Sequence, residues 1–172
     1  MGTLNGKVAL VTGASKGIGA GIARRLASDG ARVVVNYASA EEAATALVAD
    51  IEARGGTAVA VRADVRSKTD VDALVAAALD HFGRLDIVVN NAGMYQFAKI
   101  EDTTEELYRQ QFDLNVLGTL LVSGAAVPLL GAGSSIINVG SVVTRVLPAE
   151  SAIYTGTKGA IDAITGVLSR EL

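Results

Sequence analysis

Tyr154 and Lys158 stand four residues apart in IYTGTKGA. On a helix this spacing puts both on one face, with Cβ atoms roughly 5–6 Å apart. An ammonium beside a phenol favours the phenolate. At ~4 Å and an effective dielectric of 20 the attraction is about 4 kcal/mol. A tyrosine so placed can give and take a proton near neutral pH. Ser141, expected where a strand ends, has a hydroxyl that could donate to a substrate carbonyl oxygen. Together these three residues suit proton transfer to and from a carbonyl or alcohol.

A second chemical stretch is VTGASKGIGAG, Val11 to Gly21. Gly13-Ala14-Ser15-Lys16-Gly17 fits G-x-S-x-G, the turn that lifts a hydrolase serine. Read two residues further, the same stretch is G-x-x-x-G-x-G, a spacing that opens backbone amides to a pyrophosphate. Both readings need a strand, a turn and a helix. The hydrolase also needs a later histidine, and the only one is His81, in HFGRLD. A cation closing a helix explains His81 without catalysis. The cradle explains more. Gly13 permits a tight turn, and Gly17 and Gly19 remove Cβ atoms where a diphosphate approaches and where helix packs on sheet. The helix from Ile18 then points its positive end at the phosphates.

The next strand bears on which dinucleotide would fit. An acid near its end would bond a ribose 2′-hydroxyl. Here the end reads VVVNYAS, with neutral Asn36 and Tyr37. A carboxylate there would repel a 2′-phosphate, and its absence leaves room for one. Lys16 supplies a nearby positive charge and Ser39 a hydroxyl. The expectation is NADP(H) in preference to NAD(H), with Asn36, Tyr37 and Ser39 at the cofactor.

These groups need a frame. Short, nearly continuous Val/Ile runs occur at Val8–Val11, Val33–Val35, Ala58–Val61, Ile87–Val89 and Ile136–Val139. Such runs suit strands buried on both faces of a parallel sheet. Between them lie stretches of helical length: 18–28, 40–53 with Ser39 as N-cap, 68–82 between Ser67 and Gly83, 104–130, and 151–172. The alternation predicts an α/β fold, a Rossmann-type doubly wound parallel sheet with helices on both faces. We read residues 1–172 as one domain.

Composition narrows the function classes. Of 172 residues half are hydrophobic, and the net charge is −3. This suits a packed domain and lacks the basic face that nucleic acid requires. With no cysteine and one histidine, thiolate and multi-histidine metal sites are excluded. The N-terminus lacks the features of a signal peptide, and no run reaches the ~18 uninterrupted apolar residues of a membrane span. A cytoplasmic protein without membrane partners is expected.

The chain resembles the short-chain dehydrogenase/reductases over its whole length. The matching pieces are Thr12 to Gly19, Asp64-Val65, Asn90-Asn91-Ala92-Gly93, Asn115, Ser141 and Tyr154-Thr155-Gly156-Thr157-Lys158. Within that family it looks most like the 3-oxoacyl-carrier-protein reductases and their relatives. The resemblance implies that Gly13, Gly17 and Gly19 line the pyrophosphate and that Ser15, Lys16 and Ile18 of the same loop also bind the cofactor. It implies that Asp64 and Val65 reach the adenine, and that Asn90, Asn91, Ala92 and Gly93 flank the cofactor. Tyr154 is then the acid/base, Lys158 its electrostatic partner and ribose ligand, Ser141 the substrate's anchor, and Asn115 the holder of a relay water. A homo-oligomer is implied too.

Family members continue past this chain's last helix through two further strands. The expectation is therefore a sheet missing its last strands, an exposed apolar edge at SSIINV, and an incomplete substrate pocket. A dinucleotide-binding fragment without turnover is the alternative to a reductase.

Overall fold

The structure, a computed structural model, describes residues 2–172. Five strands form one sheet: β1 (Val8–Val11), β2 (Arg32–Tyr37), β3 (Thr57–Arg62), β4 (Leu85–Asn90) and β5 (Leu130–Asn138). Their order is β3-β2-β1-β4-β5, and every pairing is parallel. The chain therefore winds one way from β1 to β3, then crosses back to β4. The direction of winding reverses between β1 and β4, and in such sheets that junction opens a crevice at the strand C-termini.

The strands form where the Val/Ile runs lie because both faces are covered. Val8, Ala9, Leu10 and Val11 are fully buried. Full burial of a side chain such as Leu10 stabilises by roughly 1.5–3 kcal/mol. One face carries α1 (Gly17–Ser28) and α2 (Glu41–Ala53), with Val33, Val35, Leu47 and Ile51 between. The other carries α3 (Lys68–Phe82), with Leu10, Val34, Leu74 and Val88 beneath it.

Helix boundaries follow local chemistry. Ser67 caps α3 by accepting a hydrogen bond from the Asp70 amide, and Gly83 ends it in a left-handed conformation. Ser39 does not cap α2: the capping position is Ala40, without a side-chain bond, and Ser39 stays exposed. The long helix expected over 104–130 is broken. It runs as α4 (Glu105–Phe112), a π turn at Asp113–Leu117, α5 (Gly118–Ala126) and a 3₁₀ turn at Val127–Leu129. The run Glu105–Leu129 has the length and mean hydropathy (1.5) of a membrane span. Its inner face carries Val122 and Ala126 into the core beside α3, as a core helix does.

β5 begins at Leu130, earlier than the apolar run, and its register against β4 shifts between Leu85 and Ile87. It lies at the edge of the sheet, with Ile136 against the core and Ile137 48% exposed. A short helix α6 (Val143–Val146) comes next, and then α7 (Ala152–Glu171), which carries Tyr154 and Lys158.

The opposite end of the sheet is fastened by one carboxylate. Asp86, with a side chain 3% exposed, bonds Arg84 at 2.6 Å and Lys7 at 3.1 Å. It also accepts the Val8 amide at 3.0 Å, tying the starts of β1 and β4. Burial alone would raise its pKa, but Arg84, the Val8 amide and Lys7 outweigh it and hold the group at about 2. Because the folded value lies below the unfolded one, this stabilisation is complete above about pH 4 and lost as pH falls through about 2. Asp86→Asn should cost about 2 kcal/mol at pH 7, and the gap from wild type should close on acidification. Denaturant unfolding at several pH values measures both, and equal stability at pH 7 would refute this account.

Candidate functional site

The crevice between the C-termini of β1 and β4 is closed by hydrogen bonds from neutral side chains. The Thr12 hydroxyl donates to the Val89 carbonyl at 3.3 Å and accepts the amides of Asn91 and Ala92, each at 3.0 Å. The Asn91 side-chain amide donates to the carbonyls of Thr12 (2.9 Å) and Gly13 (3.1 Å). From the other side Asn36 accepts the Gly13 amide on its side-chain oxygen (3.1 Å) and the Ala14 amide on its carbonyl (2.8 Å). The turn after β1 is thus fixed from both neighbouring strands.

Within that turn the three glycines differ in what they do. Gly13 has φ +59°, and a Cβ there would lie 2.9 Å from the Ala92 Cα. A Cβ on Gly19 would lie 2.5 Å from the Asn91 amide nitrogen and 2.7 Å from the Gly13 carbonyl oxygen. Both are required by packing. Gly17, at φ +57°, would give a Cβ no neighbour within 4 Å and so faces open space. α1 starts here with Lys16 at its cap, no side-chain cap bond and no acid in its first turn. Its first amides lack helical acceptors, and the helix end is electropositive. The cradle fits a diphosphate. Lys16, Gly17 and Ile18 are exposed around it, and Ser15 is half-buried.

Asn36 has a different job from the one expected. It is 1% exposed, and its NH₂ group faces the carbonyl oxygens of Ala63 (3.1 Å), Val61 and Tyr37 (both 3.4 Å). Its side chain is consumed by the scaffold and is not free for a ribose. Tyr37 is also buried, inside the cluster under α1 and α2. Of the three residues at the β2 exit expected at the cofactor, only Ser39 is exposed.

Asp64 and Val65 come after β3. The Asp64 carboxylate is held by Arg66 at 2.6 Å, chiefly through side-chain hydrogen bonds that keep it below the usual carboxylate range. Val65 is buried against Gly118, where a Cβ would meet its Cγ2 at 2.8 Å. Asn90 is buried and donates to Ser123 Oγ (3.0 Å) and Asn138 Oδ1 (2.8 Å), while its own Oδ1 has no partner among the described residues. Ala92 and Gly93 continue the chain past β4, half-buried and exposed respectively.

Asn115 sits in the π turn and is buried. Its side chain accepts the Met94 amide and donates to the Met94 carbonyl, both at 2.9 Å, and donates to Thr157 Oγ1 at 3.0 Å. One residue thereby joins the loop after β4 to α7 beside Lys158. The Lys158 ammonium donates to the Val139 carbonyl at 2.7 Å, just past the end of β5. Lys158 is 8% exposed, and burial pushes its pKa below the usual lysine range, partly offset by Asp162. The Tyr154 ring packs among Tyr95 (5.8 Å between centroids) and Phe97 (6.3 Å). Ser141 Oγ accepts the Val143 amide at 3.2 Å and keeps its proton free among the described residues.

The hydrolase geometry fails. His81 lies in the last turn of α3, which leads into the start of β4. Ser15 comes after the end of β1, so the two lie at opposite ends of the parallel strands.

The family model for short chain dehydrogenase matches residues 7–172. The chain belongs to this family. An uncharacterised oxidoreductase of Methylorubrum extorquens is 60% identical over the whole chain, which covers 69% of that relative. A hydroxynaphthalene reductase of Aspergillus fumigatus is 40% identical over 98% of the chain and 62% of its own length. The crystal structure of a short chain dehydrogenase from Burkholderia cenocepacia in complex with NADP superposes with a TM-score of 0.94 at 42% identity, over 98% of this chain and 69% of that one. An angucycline C-6 ketoreductase with bound NADP gives a TM-score of 0.95 at 38% identity, over 99% and 69%. The chain thus spans about two thirds of the length of these relatives.

Thr12, Asn138 and Thr157 also carry bonds in this site. Sequence reasoning places Thr12 and Thr157 inside matched motifs without giving them a role, and does not single out Asn138, a polar residue within an apolar run. Asn36→Asp tests the scaffold role directly, because a carboxylate would face three carbonyl oxygens with no proton to donate. It should destabilise by about 1–3 kcal/mol and leave the ratio of NADPH to NADH affinity as in wild type. Thermal unfolding and cofactor titration measure both, and a stable variant that had switched to NADH would contradict this role.

Proposed function

We propose that the protein is an NADP(H)-dependent oxidoreductase acting on a carbonyl/alcohol carbon. The bound nicotinamide would supply or accept the hydride. The chain's own residues would manage the proton and the geometry. The observation that carries this reading is the set on and beside α7. Lys158 is held on the Val139 carbonyl, Tyr154 lies one helical turn before it, and Ser141 comes after β5 with a free hydroxyl proton.

In this mechanism Ser141 donates to the substrate oxygen and fixes its position. Tyr154 gives its phenolic proton to that oxygen as the carbon is reduced, and takes it back in oxidation. The Lys158 cation stabilises the phenolate left behind. Asn115 holds the loop after β4 and α7 at one spacing, which keeps Tyr154 in place, and a water bound near it would return the proton. Gly17 and the first amides of α1 would carry the diphosphate, and Asn90 to Gly93 would flank the nicotinamide side.

NADP(H) is favoured by the exposed Lys16 and by the NADP complexes among the similar structures. The relatives' names, a hydroxynaphthalene reductase and a ketoreductase, support ketone reduction. A 3-oxoacyl thioester and a cyclic aryl ketone are the first two substrates to test. The chain's length relative to its relatives supports a second reading, a cofactor-binding part without turnover of its own. Tyr108, Leu117, Leu120 and Val167 expose apolar surface on α4, the π turn, α5 and α7, which supports a homo-oligomer.

Tryptophan is absent, so NADPH fluorescence reads binding without tryptophan background. Wild type should bind NADPH and oxidise it with one of the ketones. Tyr154→Phe should keep binding within about threefold and lose turnover by ~10²–10⁴-fold. A fully active phenylalanine variant would reject the mechanism; binding without oxidation across both substrates would leave the second reading. Light scattering should give a mass above the monomer, and a clean monomer would reject self-association.

A further inference from the structure

With Asn36 and Tyr37 buried, the exit of β2 needs another group to recognise a 2′-phosphate. We infer that Arg62, at the end of β3, is the residue that selects the phosphorylated dinucleotide. This rests on the NADP(H) reading above and names the side chain that decides it.

Three observations place Arg62 there. Its backbone pairs with Tyr37, the last residue of β2. Ala58 and Ala60 pack into the cluster under α1 and α2, so strand alternation sends Arg62 toward that same face. Its Nε donates to the Ala38 carbonyl at 3.2 Å, which sets the guanidinium beside the loop leaving β2. That loop adjoins the glycine turn, because Asn36 holds the Gly13 and Ala14 amides. A ribose whose diphosphate lay over Gly17 would have its 2′ position at this strand end.

The charge at this place is unspent. Arg24, Arg25, Arg54, Arg66, Arg84 and Arg109 each pair with a carboxylate within 4.0 Å. Arg62 pairs with none among the described residues. One of its five N–H donors is used, and four are left for an anion. The exposed Ser39 hydroxyl lies on the same loop. The acids nearest in sequence to that loop, Glu41 and Glu42, begin α2. Asp64 is already committed to Arg66. A guanidinium recognises a phosphate through paired, charge-assisted hydrogen bonds, which an ammonium such as that of Lys16 cannot copy.

The test uses the 172-residue chain, with NADPH and NADH titrated by fluorescence and adenosine 2′-phosphate by calorimetry. Wild type should bind NADPH more tightly than NADH. Arg62→Ala should weaken NADPH and adenosine 2′-phosphate about tenfold or more, change NADH less than about twofold, and leave the thermal midpoint unchanged. Arg62→Lys should recover part of the loss. Equal weakening of NADPH and NADH would mean that Arg62 only braces the loop, and would overturn the inference. So would an alanine variant with unchanged NADPH affinity. A wild type that bound neither dinucleotide would overturn the dinucleotide reading itself, an outcome visible before any variant is made.

Discussion

The fold and the site both depend on a polar clamp around one turn. Thr12, Asn36 and Asn91 are neutral, mostly hidden, and together hold the backbone from Thr12 to Ala14 between β2 and β4. Burying amides and hydroxyls is costly unless they are satisfied. Here their bonds are directed at the one stretch where the winding of the sheet reverses. The packed glycines Gly13 and Gly19 let the strands come close enough for those bonds to form. The open side of the turn, at Gly17, is the part this tight packing leaves over. A loose turn would present the same amides in many directions; a clamped one presents them in one.

The second half of the site is held by the same means. Asn115 ties the loop after β4 to Thr157, and Lys158 ties α7 to Val139. Asn138 adds a third tether by donating to Thr165, two turns beyond Lys158. α7 is thus fixed against β5 along one face, and Tyr154 inherits its position from that docking. The two halves meet through Asn90, whose carbonyl accepts the Val139 amide.

Much of this architecture is legible in the sequence. β1 and α3 have the bounds that the Val run and the Ser67/Gly83 signals predict. The doubly wound sheet comes from alternation alone. The start of β5 is hidden because LGAGSS carries turn residues, although Leu130 and Ser135 already pair with β4. An edge strand tolerates glycine that a central strand would not. Ser39 has the residue type of a cap, while the chain places Ala40 there instead. The neutrality of Asn36 says nothing of its hydrogen bonds. Its work is done on three carbonyls from β2 and the end of β3, and no pattern within β2 announces them.

The π turn at Asp113–Leu117 sets the phase of α5 relative to α4. One residue of an α-helix corresponds to about 100° of rotation. The wider turn lets Leu107 and Gln111 be buried on α4 while Val122 and Ala126 point into the sheet on α5. Excising one residue here would tighten the coil and swing Val122 away from its partners. The bulge therefore acts as a gear offset between two faces of a single rod, and Asn115 is the tooth at which they mesh.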